Sequence, residues 1–225
     1  VDVNSSTFTD PITIVGGSIA VTELVADSNA VTLTARTGAI TDGDAGTTKD
    51  VTASSLVADS QTGAGTSGNP LETTVTNLEV LGRSGGVHVS NAGALTIGGI
   101  GGTVGISATD GDIVVSSSSP VIVNEAVVNS GGGNVTLTVA GTSATDDLTV
   151  NANVTASGGN GTVTLNAAND ILHTAGTVSA VGSGAVDLNA GTGTTDGVIT
   201  MSAGTAVSSA TGAITLDADG TATLD

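Results

Sequence analysis

Short aliphatic triplets return along this chain at intervals that suit stacking and little else. Val135-Thr136-Leu137, Val163-Thr164-Leu165, Val186-Asp187-Leu188 and Ile214-Thr215-Leu216 form one series. A second series starts at Leu148, Ile171, Ile199 and Ala222, and a third passes through Val128, Val154, Val178 and Val207. The three follow one another in a fixed order, so each cycle is one unit of three strand-like pieces. Connections from the first series to the second alternate long and short. The true period is therefore a double unit of 51 residues, which separates Val135 from Val186 and Leu148 from Ile199.

Alternation of apolar and polar residues is the period of a strand with one buried face. Pieces this short form no stable hairpin or sandwich alone. Stacked in parallel coils, each pairs its backbone with the coils above and below, about 4.8 Å apart. Val, Ile and Leu then line a narrow interior, and Thr, Asn, Asp and Ser face outward. The bore explains a composition with one Phe and no Trp or Tyr. Corners explain the 34 Gly: Ser130-Gly131-Gly132-Gly133 and Ser157-Gly158-Gly159-Asn160-Gly161 both precede a first-series strand, where tight turns favour Gly and Asn. The fold class predicted is all-β, a parallel β-helix (β-solenoid) with three short strands per coil. Roughly nine coils make a rod about 40 Å long at the strand spacing.

Residues 1–225 read as a single β-solenoid. Within it 1–62 is less regular, 63–225 is regular, and 123–224 holds the duplicated two-coil module of 51 residues. Val87-His88-Val89, Leu95-Thr96-Ile97, Val104-Gly105-Ile106 and Ile113-Val114-Val115 continue the pattern, as do Ile19 to Leu24 and Val31-Thr32-Leu33. Loop excursions are predicted around Asp42 to Lys49 and Gln61 to Pro70, from their Gly, Thr, Asp and Ser content.

Lys and Arg number 3 against 21 Asp and Glu, giving a net charge of −18. Nucleic acid and anionic membranes need clustered cations, so neither is an expected partner. No apolar run approaches the roughly 18 residues of a spanning helix, so no membrane insertion is expected. The absence of Cys excludes disulfides and thiol chemistry and suits passage through oxidising compartments. The start at Val1, without an apolar signal core, reads as a mature product or an excised segment.

Gly68-Asn69-Pro70-Leu71-Glu72-Thr73, followed by Val75 and Leu78, Gly85-Gly86-Val87-His88-Val89-Ser90-Asn91 and Leu95-Thr96-Ile97-Gly98, resembles the shaft of filamentous-haemagglutinin-like repeat proteins. The Gly-x-Val-Thr-Leu-x-Ala coils that follow are similar to the same group. The resemblance spans roughly residues 63–225, is looser over 1–62, and lacks that family's amino-terminal secretion module. It implies a right-handed parallel β-helix, an extracellular or bacterial cell-surface location, and a role in adhesion or matrix formation. It implies no catalytic residues.

Candidate sites are sparse. Asp42-Gly43-Asp44 and Asp110-Gly111-Asp112 are candidate Ca²⁺ ligands through hard oxygens, although neither continues into a twelve-residue calcium loop; Asp in turns is the plainer reading. Asp146, Asp147 and Asp196 sit at the ends of the long connections and read as solvated loop acids. His173 aligns with Val150 and Met201 at inward positions. That predicts a buried neutral imidazole, unless a bulge turns Leu172 inward. His88 should point outward. No Ser-His-Asp set can be placed, and no cofactor is expected beyond Ca²⁺.

Three functions fit to different degrees. The first is a structural extracellular shaft of an adhesin, matrix or filament, part of a longer chain or stacked end to end, with surface or matrix glycans as partners. Exposed strand edges at the solenoid ends support self-association, and the negative charge favours Ca²⁺-dependent bundling. The second is a polysaccharide-binding or -cleaving β-helix enzyme, which three basic residues and a lone Phe8 disfavour. The third is an ice-binding solenoid built on outward Thr, a lattice that Asp187 interrupts.

Overall fold

The computed structural model describes residues 1–4, 6–101 and 105–225. Every inter-strand ladder among them is parallel, and no helix occurs among the described residues. The strands stack as a β-solenoid of about 8 turns with three sheets. Val104, one of the residues in the predicted strand pieces, lies outside the described residues.

The first series is a continuous ladder. Val135 pairs with Val163, Val163 with Val186 and Val186 with Ile214; Leu137, Leu165, Leu188 and Leu216 follow two residues on. Leu148, Ile171, Ile199 and Ala222 are likewise in register. The third series needs one correction. Val154 pairs with Val127, and Val128 pairs with Thr155. Val127 is the buried residue of the Val127-Val128 pair. Two adjacent valines cannot both face inward in a period-2 strand, and the spacing alone did not show which does.

One feature went unread in the sequence. Before residue 77 the long face is built from Ile12–Gly16, Ala30–Ala35, Ser55–Ser60 and Asn77–Arg83. After it, that face divides: Asn77–Leu78 pairs with Leu95–Ile97, while Val80–Arg83 pairs with Ile106–Ala108. On the other side two short faces merge, because Val87–Asn91 receives both Leu71–Thr74 and, through its first residue, Ala64. The section stays three-sided, and its corner moves along the chain. Glu79 sits where the face divides. It is buried between Leu78 and Val80 and accepts the Ile100 N–H at 3.0 Å.

The interior is a mainly aliphatic column running from Val3 to Ile199. Each fully buried Leu, Ile or Val contributes roughly 1.5–3 kcal/mol by leaving water. Ile214 is 48% and Leu224 61% exposed although both occupy inward register positions.

Polar side chains tie coils together at the corners. Buried Asn129 donates to the Gly111 carbonyl and accepts the Gly131 and Gly132 N–H groups. On the outer face Asn189 donates to Asn166 at 2.8 Å, and Asn166 donates to Thr138 at 3.2 Å.

Candidate functional site

Three carboxylates meet where the 43–50 excursion rejoins the stack. Asp42 ends the strand Ile40–Asp42. Asp50 immediately precedes Val51–Thr52, and Glu72 lies in Leu71–Thr74 one coil further on. Because Val51 pairs with Thr73, the same register sets Asp50 beside Glu72. One oxygen from each of Asp42, Asp50 and Glu72 lies within 4.8 Å of the others. Asp50 is 0% and Asp42 8% exposed.

The hydrogen bonds divide each Asp carboxylate into an occupied and a free oxygen. Asp42 Oδ1 accepts the Asp44 N–H, and Asp50 Oδ2 accepts the Glu72 N–H, both at 2.8 Å. Asp42 Oδ2, Asp50 Oδ1 and Glu72 Oε2 are buried and have no partner among the described residues. Burial is the main force on the Asp50 carboxyl, which is pushed up to about 8. The Asp42 and Glu72 carboxylates add to the rise, and the bond from the Glu72 N–H opposes it. Glu72 is raised too, by burial first and then by Asp42, while the Lys49 ammonium pulls it down. Ionised carboxylates only accept hydrogen bonds. Asp42 and Asp50 can bond to one another only through a proton held between them; without it, their free oxygens need a cation or another donor.

Of the four calcium candidates, the structure brings only Asp42 into this cluster. Asp44 turns back, accepting the Gly46 N–H. Asp112 accepts the Asn134 N–H and braces the next coil, and Asp110 is exposed. Neither Asp110 nor Asp112 belongs to an acidic group of three among the described residues. Asp50 and Glu72 were missed. They lie 22 residues apart, and the signal that joins them is the register of two strands interrupted by the excursions.

The connection acids differ from the solvated picture. Asp146 is buried and accepts the Ser143 N–H at 2.8 Å. Asp147 accepts from the Asn169 side chain and the Asp170 N–H, bracing one coil on the next. Asp196 is exposed as expected.

His173 occupies the inward position between Val150 and Met201 and is 0% exposed. Leu172 stays outside, so no bulge forms. Nε2 lies 3.1 Å from the Gly176 carbonyl, which fixes its proton there as a donor, and Nδ1 has no partner among the described residues. Burial lowers its pKa from the ordinary 6.5, against the bonding carbonyls of Gly176 and Ala175. A depressed folded pKa means that the unfolded chain takes the proton first. The stability this confers is present above about pH 6.5 and is lost as pH falls below it. His173→Met, which copies Met201, should remove that loss, so its urea midpoint should gain on the parent's between pH 7.5 and 5.5. The raised Asp50 and Glu72 carboxyls, which add stability as pH falls over the same window, act equally in both proteins. An unchanged difference between the two midpoints would show that His173 is not buried neutral. Some slope remains, since His88, half-exposed between buried Val87 and Val89, is shifted in the same direction.

Ala53, Val75, Ala92, Asp27, Thr52 and Thr76 are among the residues that line an open groove. It offers methyls and hydroxyls with a single carboxylate.

The register and the three-sheet stack define the class: a β-solenoid repeat protein, compatible with the β-helical repeat proteins. Compared with known families, curated proteins and solved structures, the chain finds no match.

Proposed function

We propose that the chain is the β-helical shaft of an extracellular adhesin, matrix or filament protein, of the filamentous-haemagglutinin-like kind. The observation that carries this reading is the unbroken stack. One aliphatic column runs through about 8 turns, and outward amides and hydroxyls such as Asn189, Asn166 and Thr138 are bonded to neighbouring coils. A rod of this kind holds other modules at a distance or presents a repetitive face to glycans. The net charge of −18 keeps such rods apart laterally.

The test is direct. Purified chain should appear in negative-stain images as rods about 40 Å long at the strand spacing, singly or end to end. It should release no reducing ends from polygalacturonate or alginate and show no thermal hysteresis. Compact particles without a rod axis, or cleavage of either polymer, would overturn the shaft reading. So would hysteresis, although Asp187 and Leu172, among the outward positions of two faces, break any flat threonine lattice.

A further inference from the structure

We propose that Asp42, Asp50 and Glu72 form a Ca²⁺ site that fastens the 43–50 excursion to the following coil. The assignment is independent of the shaft reading and stands on three observations. The first is distance. Oxygens on opposite sides of a Ca²⁺ ion, at about 2.4 Å each, are separated by at most about 4.8 Å, and the three carboxylate oxygens fall within 4.8 Å of one another. The second is orientation. Backbone N–H groups occupy Asp42 Oδ1 and Asp50 Oδ2, which leaves Asp42 Oδ2 and Asp50 Oδ1, like Glu72 Oε2, buried and without a partner among the described residues. The third is burial. Asp50 is wholly enclosed, and a solvent-free carboxylate oxygen with nothing to accept from is costly unless an ion or a proton meets it.

The donor set selects the ion. Three carboxylates with no His or Cys form an oxygen site for a hard cation. Ca²⁺ accepts six to eight oxygens in irregular arrangements, whereas Mg²⁺ demands near-ideal octahedral geometry and keeps several waters. Ligands from a strand end, a loop end and a neighbouring coil suit the tolerant ion. Lys49, whose charge reaches Glu72, offsets part of the negative charge and moderates affinity. Binding would join two coils where the stack is least regular, so the ion's contribution to folding appears as stability.

The experiment uses the full 225-residue chain, stripped of metal with EDTA, at pH 7.5 in 150 mM NaCl to suppress diffuse binding to surface acids. Protein concentration is kept where light scattering shows no bundling. Calorimetric titration with Ca²⁺ should give one saturable site per chain, and Ca²⁺ should raise the melting temperature more than equimolar Mg²⁺. Asp50→Asn should abolish both effects. Glu72→Gln, at a less buried position, should weaken binding at least tenfold. Asp112→Asn, outside the cluster, should leave both intact. Overturning results are the absence of saturable binding at millimolar Ca²⁺, or a Ca²⁺-induced stabilisation of equal size in Glu72→Gln or a folded Asp50→Asn. The first would mean that a proton shared by Asp42 and Asp50 fills the gap, and the second that the ion binds elsewhere. Should Asp50→Asn fail to fold, Glu72→Gln against Asp112→Asn decides alone.

Discussion

Adding one methyl at Gly161 should destabilise the chain by about 1–3 kcal/mol, the usual cost of overpacking. Gly161 does not need a left-handed backbone; it needs the absence of a side chain. A Cβ there would stand 2.2 Å from the Gly133 carbonyl oxygen, and the clash repeats up the corner. Gly133 meets the Gly111 carbonyl at 2.0 Å, Gly184 meets that of Gly161 at 2.0 Å, and Gly212 meets that of Gly184 at 2.1 Å. These are backbone oxygens held by ladders on either side, so none can move without breaking register. Gly68 has no heavy atom within 4 Å of its would-be Cβ. Gly68→Ala should therefore be neutral or stabilising by up to about 1 kcal/mol, through reduced freedom of the unfolded chain. Urea midpoints of the two variants test the pair. Equal midpoints would mean that the corner is looser than these distances state.

That glycine column shows what the sequence disclosed and what it withheld. Gly before a first-series strand is visible in the chain, and turn chemistry explains part of it: Gly132 and Gly159 do have φ of 117° and 58°. Coil-to-coil contact, the larger constraint, appears only when the coils are superposed. The triplets were legible because Val, Leu and Ile repeat at a period that the ladder preserves, and His173 could be assigned to the interior by alignment alone. Val127 and Val128 could not be told apart, since both are aliphatic and β-branched. The migrating corner escaped because Asn77–Arg83 carries one continuous strand over two faces, and nothing local marks where its pairing divides. The acidic cluster failed for a related reason. Asp42 was visible as part of Asp-Gly-Asp, a local pattern, yet its partners are set by register. Local motif reading favoured Asp44, Asp110 and Asp112, whose carboxylates are turned to nearby backbone or to solvent.

Truncating Leu165 to Ala should cost about 2–5 kcal/mol, the range for a large side chain removed from a closed core, and the loss should stay local. Leu165 is fully buried between Leu137 below and Leu188 above in one ladder. No neighbour can collapse into the space, because each is held at the coil spacing by its own backbone pairing. In a structure whose repeats touch only adjacent repeats, stability is a sum of coil and interface contributions. The damage should fall on the coils containing Val135–Val139, Val163–Ala167 and Val186–Ala190. Amide exchange there should quicken first, while the ladder between Ile12–Gly16 and Ala30–Ala35 keeps its protection. Leu216→Ala supplies the internal comparison. Leu216 holds the same column position one coil beyond Leu188 but is only partly buried. Its truncation removes less buried surface and leaves no closed cavity, so the cost should be well under half that of Leu165→Ala. If exchange accelerated uniformly along the chain, or if the two truncations cost the same, the coils would be sharing one global core, and a nearest-neighbour stack would be the wrong description of what holds this rod together.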